Sequence, residues 1–456
     1  MIVSPLDYRY GRDRAKEIFT ESHRIKCMLE VEAASSLALA DGGKIPREAS
    51  DDIGRACRGN LVSVKRIKEL EKETQHDIMA LTRAISEQVT KGKPYVHFGL
   101  TSNDVNDTAL SLQLKAFSKI LAHDLQKVMV ELEDRISKHS GSVMLGRTHG
   151  QHASPITFGL KMAVFLGEFT RHAERFLEIM PRVLVGKMLG PVGTGATIGK
   201  DALRIQEEFV SILGLQSEMN PSQVTGRDRL IEYMSLINNI SVSTEKLATE
   251  IRNLQRPEIS EVSEFFEVEK QVGSSSMPSK MNPIKSENIT SLSRLVRSFI
   301  IPQYEGSIMW HERDLTNSAL ERFTIPYSSI LIDYVLAKTA EVLNTMVVHE
   351  ERMRENLKLS YLSMSEAVVL MLVNNGIPRL DAHEIVRKAS ISTVNRADFV
   401  AAVVNHSSND RISHDEVESS LDPAKFLGAT TEICSRTIEI SSYARKKLED
   451  YAKRMA

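Results

Sequence analysis

The sequence predicts an all-α protein built around a bundle of long helices. Apolar residues recur at steps of three and four along several long segments, which is the period of a helix with one buried face. Alternating strand patterns are scarce, and aromatic residues, which favour strands, make up only 5% of the chain. Since 456 residues exceed what one hydrophobic core usually serves, we expect three units. They comprise short helices over 1–101, a long-helix bundle over 102–350 and short helices again over 351–456.

Five segments show the helical period clearly. In the first, the stripe consists of Leu110, Leu114, Phe117, Leu121, Leu125, Val128, Leu132 and Ile136. Pro181 is expected to end the second helix, because proline lacks the N–H that a helix interior needs. Helices this long bury their stripes against each other and against other subunits, so we expect oligomerisation. The five predicted helices cover residues 106–140, 158–180, 230–255, 287–300 and 325–348.

Composition argues against several classes of function. The chain has 58 basic and 60 acidic residues, a net charge of -2, so no global field would attract nucleic acid or an anionic membrane. Its three scattered cysteines, Cys27, Cys57 and Cys434, suit reduced thiols rather than a disulfide framework. No segment approaches the roughly 20 apolar residues of a membrane-spanning helix, and the N-terminus has no signal-peptide core. We expect a cytoplasmic protein with no nucleic-acid or membrane partner.

Two patterns that could indicate a cofactor or metal do not have the required spacing. Glycines between Gly186 and Gly199 follow a helix and do not match the dinucleotide-binding spacing. His149 and His152 have no carboxylate or cysteine at ligand spacing, and His349 lacks the second histidine of a zinc helix. The sequence therefore predicts no metal and no cofactor.

Residues 273–283, GSSSMPSKMNP, form the most informative segment. Small polar residues and two prolines predict a loop, and a Gly/Ser run alone is typical of a flexible linker. Lys280 and Asn282, beside a helix that opens near Lys285 and Glu287, favour a catalytic lid instead. Serine hydroxyls and backbone N–H groups could surround a carboxylate there, and the lysine would supply positive charge.

This segment resembles the signature loop of the aspartase/fumarase superfamily. Residues 101–109 (TSNDVNDTA) and 146–152 (GRTHGQH) resemble its other two active-site regions, in the same order. Members split a C–N or C–O bond by β-elimination and release fumarate or a relative. The resemblance implies Ser274 as general base, Lys280 as a stabiliser of negative charge, and His149 as general acid paired with Glu287.

Within the superfamily, residues 310–322 (WHERDLTNSALER) resemble the adenylosuccinate lyase family. In that family the equivalents of Arg313, Ser318 and Arg322 contact the nucleotide phosphate, and guanidinium groups suit its paired oxygens. The Arg9-Tyr10 pair would reach the same phosphate. A surface ion-pair helix is the alternative interpretation of residues 310–322.

The same resemblance assigns further residues to the site. His76 is placed with the catalytic residues, while Thr101 and Ser102 would donate hydrogen bonds to the carboxylates of the departing fumarate. Ordinary solvated helix ends are the alternative for segments 73–77 and 95–99. The chain departs from the family pattern at Tyr8, Ser154 and Ser279, which affects substrate placement and not the reaction type. The remaining substrate-binding candidates are Gln75, Asp77, His97, Gln223, Ser275, Met281, Asn282 and Asn288.

The resemblance also implies partners. Its members are homotetramers whose active sites combine segments from three chains, so the long-helix bundle would form a tetrameric core. The substrates would be adenylosuccinate and SAICAR, the succinylated carboxamide ribotide of purine synthesis. Argininosuccinate lyase and carboxymuconate cycloisomerase remain alternatives, although neither should need the phosphate-binding elements. An inactive helical scaffold is the alternative from another class.

Overall fold

The computed structural model describes residues 3–267, 275–408 and 412–455. Helices dominate it and the strands are short, which confirms the predicted all-α class. The helices are α1 Pro5–Tyr8, α2 Asp13–Ile18, α3 Glu21–Asp41, α4 Arg47–Arg58, α5 Val64–Thr74, α6 Asp77–Ser86, α7 Ser102–His139, α8 Phe158–Val183, α9 Ala202–Leu213, α10 Asp228–Leu254, α11 Ile284–Ser298, α12 Ile300–Glu305, α13 Ser318–Thr345, α14 Glu350–Leu359, α15 Ser365–Asn374, α16 Arg379–Ser392, α17 Arg396–Ser407, α18 His414–Ser420 and α19 Thr430–Arg454. The strands are β1 Val143–Thr148, β2 Gln151–Thr157, β3 Val185–Gly186, β4 Gln216–Ser217, β5 Val262–Ser263 and β6 Val347–Val348. Short 3-10 turns lie at Lys93–Tyr95, Gly199–Asp201, Tyr361–Met364 and Pro423–Lys425.

All five predicted helices are present as α7, α8, α10, α11 and α13, with differences at their ends. The prediction that Pro181 ends α8 was wrong, because this proline lies inside the helix, which continues to Val183. Met180 and Val183 are buried on either side, and their packing holds the last turn despite the missing N–H. Helix α13 begins at Ser318, seven residues before the predicted start, and also contains a proline, Pro326.

The main core lies among the long helices. Helices α7, α8, α10, α11 and α13 pack side by side, and α19 returns to lie against α7 and α8. Phe117, Phe169 and Phe176 are fully buried between them, and the ring of Tyr451 meets Phe176 edge-on at 4.9 Å. Each such aromatic stabilises the bundle by about 1.5–3 kcal/mol through removal of apolar surface from water.

A second core joins helices α15 to α18. It consists of buried apolar residues between Met364 and Leu421, with Phe399 and Val403 fully buried at its centre. Helix α19, which follows, belongs to the main core instead. The division of the chain into units ending at residues 101 and 350 stays a prediction.

Strands β1 and β2 form an antiparallel hairpin that the sequence patterns did not predict. Thr148 pairs with Gln151, so His149 and Gly150 are the two turn residues. Both have positive φ, 54° and 73°, as a type I′ turn requires. The register shifts between Leu145 and Gly146, and this irregularity interrupts the period-two pattern that would have indicated a strand.

Among the described residues, no single helix is both long and apolar enough to cross a membrane. The pair Glu350–Leu359 and Tyr361–Asn374 meets that test only when taken together, and it is bent by 82°.

Candidate active site

A polar cleft of about 280 Å³ opens where the first turns of α3, α7, α10 and α13 meet. Four arginines line this cleft, which we call the arginine cleft: Arg24, Arg227, Arg313 and Arg322. Ser318, the first residue of α13, lines the same cleft. Because the first N–H groups of a helix have no intrahelical partner and carry partial positive charge, the start of α13 adds to the field of the arginines. The cleft is therefore suited to bind an anion.

Arg313 is the cleft arginine without a counter-ion. Its Nη1 donates to Oε1 of Gln223 at 3.0 Å, and its buried Nε has no partner among the described residues. None of the described carboxylates lies within ion-pair distance of Arg313, and burial lowers the pKa of its guanidinium. A desolvated guanidinium of this kind would be stabilised by an anion with paired oxygens.

Asp77, the first residue of α6, lies between two other arginines of the cleft. Its Oδ2 is 3.3 Å from Nη2 of Arg24 and 3.6 Å from Nη2 of Arg322. Arg24 also donates to Oδ1 of Asn106 at 2.8 Å. The structure thus brings the predicted residues Asp77 and Arg322 together. Arg24 and Asn106 were missed, because a single arginine or asparagine on a helix has no motif that marks it.

A buried ion network forms the floor of the cleft. Arg227 holds Asp107 through two hydrogen bonds, 2.8 Å from Nη1 and 3.0 Å from Nη2, and its Nε reaches Glu321 at 2.9 Å. Burial alone would raise the pKa of Asp107, but the Arg227 charge overcomes it and lowers that pKa below its ordinary value. The network ties α7, α10 and α13 together beneath Arg313 and Ser318. None of its three members was predicted as a site residue, although Asp107 and Glu321 lie within the segments 101–109 and 310–322.

Gln75 and His76 lie exposed at the turn before α6. Gln75 adopts a left-handed conformation with φ 52°, and His76 is the N-cap of α6, where its Nδ1 accepts from the Met79 N–H at 3.3 Å. An accepting Nδ1 leaves the ring proton of neutral His76 on Nε2. The cap therefore fixes both the orientation and the tautomer of His76, next to Asp77.

His97 lies with Glu32 at the start of the segment that leads to α7. Its Nδ1 is 2.6 Å from Oε1 of Glu32, which is 1% exposed, and its φ is 61°. Burial opposes protonation, but the charge and hydrogen bond of Glu32 outweigh it, so the pKa of His97 is raised. Charged imidazole is thereby favoured at this position.

Thr101 and Ser102 open the long helix α7. Thr101 is the N-cap, and its N–H donates to Oδ2 of Asp104 at 2.8 Å in a capping box. Ser102 is the first residue of the helix, and Asn103, next to it, lines the cleft. These two candidates for carboxylate binding are thus fixed at the edge of the arginine cleft.

His149 lies apart from this cleft, at the exposed tip of the β1–β2 hairpin. A non-glycine residue with positive φ costs about 1–2 kcal/mol, a strain that is common where a side chain must be presented for function. The hairpin is held close to its turn by Arg147, whose guanidinium forms two 2.8 Å bonds with Glu261. Asn356 donates to the same carboxylate at 2.8 Å.

The signature segment is described from Ser275 onward, and the predicted base Ser274 lies outside the described residues. Its candidates Ser275, Lys280 and Met281 have exposed side chains. The backbone carbonyl of Met281 accepts a hydrogen bond from Nε2 of Gln255 at 3.1 Å. Asn282 and Asn288 are half-buried, and Glu287 is exposed in the first turn of α11. Within the described part of one chain, no ion pair joins His149 to Glu287.

Arg9 and Tyr10 also lie away from the lining of the arginine cleft. Arg9 is exposed at the end of α1, and the Tyr10 ring packs edge-on against Tyr334 at 6.0 Å. One chain therefore brings Asp77, Gln223 and the three residues of the 310–322 segment together, whereas Arg9, His149 and residues 275–283 are not among the residues that line the cleft.

Comparison with known families gives matches over most of the chain. A family model described as "Lyase" matches residues 7–297, and one described as "Adenylosuccinate lyase C-terminus" matches residues 362–437. The second match lies within the predicted unit 351–456, which contains none of the candidate site residues.

Solved structures and curated relatives extend this result. The fumarate lyase from Mesorhizobium sp. BNC1 is 28% identical with a TM-score of 0.84, and covers 94% of this chain and 98% of its own. The 3-carboxy-cis,cis-muconate lactonizing enzyme from Pseudomonas putida is 29% identical with a TM-score of 0.84, and the match covers 96% of this chain and 99% of that enzyme.

Curated relatives called adenylosuccinate lyase show higher identity. Those of Archaeoglobus fulgidus and Pyrococcus horikoshii are each 40% identical, over 96% of this chain and 98% of theirs. That of Methanothermobacter thermautotrophicus is 38% identical, and the match covers 97% of this chain and 99% of the relative. The resemblance predicted from the motifs is thereby confirmed, and the chain belongs to the adenylosuccinate lyase family.

Proposed function

We propose that this chain catalyses the β-elimination of fumarate from adenylosuccinate, which yields AMP, and from SAICAR. The observation that carries the proposal is the arginine cleft. Arg313 is partly buried there with none of the described carboxylates in ion-pair distance, beside Ser318 at a helix start and Arg322 one turn further on. A phosphate monoester supplies the anion that this arrangement lacks.

The succinyl arm would lie between the cleft and the signature segment. Ser274 takes the proton from the carbon next to a carboxylate, and the electron pair left on that carbon delocalises into the carboxylate as a dianion. That pair then forms the double bond of fumarate while the C–N bond breaks, and His149 protonates the departing nitrogen. Lys280 and the donors Thr101 and Ser102 stabilise the negative charge that develops.

We propose that the working enzyme is a homotetramer with shared sites. His149, Lys280 and Glu287 are exposed on one chain and do not contact its arginine cleft, so each would serve a site completed by another copy. Large apolar side chains near the cleft support this assembly, because Ile308, Trp310 and Leu315 are 76%, 77% and 72% exposed. Such a surface on a single chain is typical of an interface.

We further propose that the reaction needs no metal or cofactor and takes place in the cytoplasm. Only the residues named above are required for the proton transfers. Dialysis of active enzyme against a strong chelator should leave its turnover unchanged.

Incubation of the purified protein with adenylosuccinate tests the proposal directly. The absorbance of the succinylated purine should fall while AMP and fumarate appear in equal amounts. Argininosuccinate and 3-carboxy-cis,cis-muconate, offered in parallel, represent the rival activities. Conversion of either one with no change in adenylosuccinate would overturn the proposed function, and no conversion of any substrate would favour the inactive scaffold.

A further inference from the structure

Lys187, which follows strand β3, is a fully buried lysine. Its side chain has no exposed surface, although an ammonium group is costly to remove from water. Such a residue needs acceptors for its three N–H bonds. The identity of those acceptors indicates what the buried charge does.

The ammonium of Lys187 lies at a junction between two segments of the candidate site. It donates to Oδ1 of Asp104, to the carbonyl of Gln223 at 3.0 Å and to the carbonyl of Gly190 at 3.5 Å. Its own backbone N–H donates to the hydroxyl of Thr108 at 3.2 Å. All of these partners belong to α7 or to the two loops that flank its first turn.

Asp104 connects Lys187 to the start of α7. Its Oδ2 accepts from the Thr101 N–H at 2.8 Å and from the Gly190 N–H at 3.1 Å. Lys187 therefore holds the carboxylate that closes the capping box, and this box fixes where Thr101 and Ser102 stand.

Gln223 connects Lys187 to the arginine cleft. While its backbone carbonyl accepts from Lys187, its side-chain Oε1 accepts from Arg313 at 3.0 Å. The amide group of the same side chain donates to the carbonyl of Pro191 at 3.3 Å. The backbone position of Gln223 thus depends on Lys187, and its side chain faces the proposed phosphate site.

We propose that Lys187 is a positioning residue that sets the separation between Thr101–Ser102 and Gln223, and with it the fit of the dicarboxylate arm of the substrate. The inference rests on the proposed function, which assigns Thr101 and Ser102 to that arm and Arg313, the partner of Gln223, to the phosphate. A lysine suits this junction because its compact ammonium can hold three acceptors that converge from different directions. It contacts no substrate and takes part in no proton transfer.

Lys187→Met tests the proposal, since methionine fills the same space without the charge. A misplacement near 1 Å costs on the order of 100-fold, so kcat/KM should fall by about that factor. Fumarate should bind more weakly as a product inhibitor, because the capping box that fixes Thr101 and Ser102 loses its cation. Inhibition by AMP should weaken less, because at the arginine cleft only the position of Gln223 changes, while Ser318 and Arg322 stay in place beside Arg313. The matched control is Lys115→Met. Lys115, in α7, donates to the carbonyl of Leu213 at the end of α9 at 2.9 Å, and its loss should leave kcat/KM unchanged.

Because Lys187→Met leaves Asp104 buried without a cation, a neutral pair provides a second variant. Lys187→Met/Asp104→Asn keeps an acceptor for the Thr101 N–H and loses the tether to Gln223. The same loss of fumarate binding is expected with the tetramer intact. Equal weakening of AMP and fumarate, wild-type kcat/KM in either variant, or failure of both variants to fold would overturn the proposal. A wild-type enzyme inactive on adenylosuccinate would instead overturn the proposed function.

Discussion

The arginine cleft and the β1–β2 hairpin differ in how completely one chain builds them. In the cleft, Arg227 is buried and bonded on two sides by Asp107 and Glu321, so that Arg313 above it is held by the fold. At the hairpin tip, His149 is exposed, although the strand residues beside the turn are anchored, Arg147 by Glu261 and His152 by Ser360. One chain thus builds the cleft that is proposed to bind the phosphate, while His149, the proposed general acid, lies exposed outside that cleft.

This difference is tested most strongly by His149→Ala. Loss of a general acid typically lowers kcat by about 10²–10⁴-fold. Because the cleft is built without His149, AMP should still inhibit, or bind by calorimetry, as in the wild type, and the helical circular dichroism should be unchanged. A variant with wild-type turnover would remove His149 from the mechanism.

Mixing inactive variants sharpens the same prediction. If His149 and Lys280 serve one site from different chains, exchange of subunits between His149→Ala and Lys280→Ala enzymes should restore activity at about a quarter of the sites. Each variant refolded alone serves as the control. Activity that never returns would indicate that both residues come from the same chain.

The next largest effect concerns the floor of the cleft. Arg227→Met leaves Asp107 and Glu321 buried without their cation, and breaking a buried pair in this way costs about 3–5 kcal/mol of unfolding free energy. Urea denaturation measures the loss. Arg66→Met, which breaks an exposed pair with Glu87, should change stability little. Equal effects of the two variants would mean that the network does not organise the cleft.

Arg313→Ala addresses binding rather than stability. Removal of a desolvated guanidinium that holds an anion should lower kcat/KM for adenylosuccinate on the order of 100-fold and weaken AMP inhibition by a similar factor. Fumarate inhibition should not change, because the arginine is proposed to face the phosphate end. Unchanged AMP inhibition would exclude this cleft as the phosphate site.

A smaller effect is expected from two glycine-to-alanine variants, which compare backbone strain in the hairpin turn with backbone strain at Gly43. Gly150 has φ 73° and Gly43 has φ 69°, and a Cβ would meet no other atom within 4 Å at either position. Alanine should therefore cost each protein about 1–2 kcal/mol through backbone strain alone. Only Gly150→Ala should also reduce kcat, because Gly150 shares the turn with His149. Equal kinetics of the two variants would show that the turn geometry is not needed for catalysis.

The long helices could be predicted because each repeats its apolar stripe over several turns, as α7 does. The hairpin could not, since its bulge breaks the alternation and β1 has only six residues. The residues of the candidate site also fall into a predicted group and a missed group. Residues within motifs, such as Arg313 and Arg322, were found by resemblance. Partners that depend on three-dimensional contact were missed, because Arg227 meets Asp107 across 120 residues of chain, and the motif that contains Asp107 does not indicate its partner.

The smallest expected effect is a pH dependence at His97. Because its pKa is raised in the folded protein by Glu32, protonated His97 stabilises the fold, and this contribution is fully present below the unfolded pKa of about 6.5. It is lost as the pH rises through the raised folded value. Glu32→Gln keeps a hydrogen-bond acceptor and removes the charge, so its melting temperature should lie about 1–2 °C below the wild type at pH 6. The two should converge in alkaline buffer, and a gap that is constant with pH would show that His97 stays neutral and that the pair acts only as a hydrogen bond.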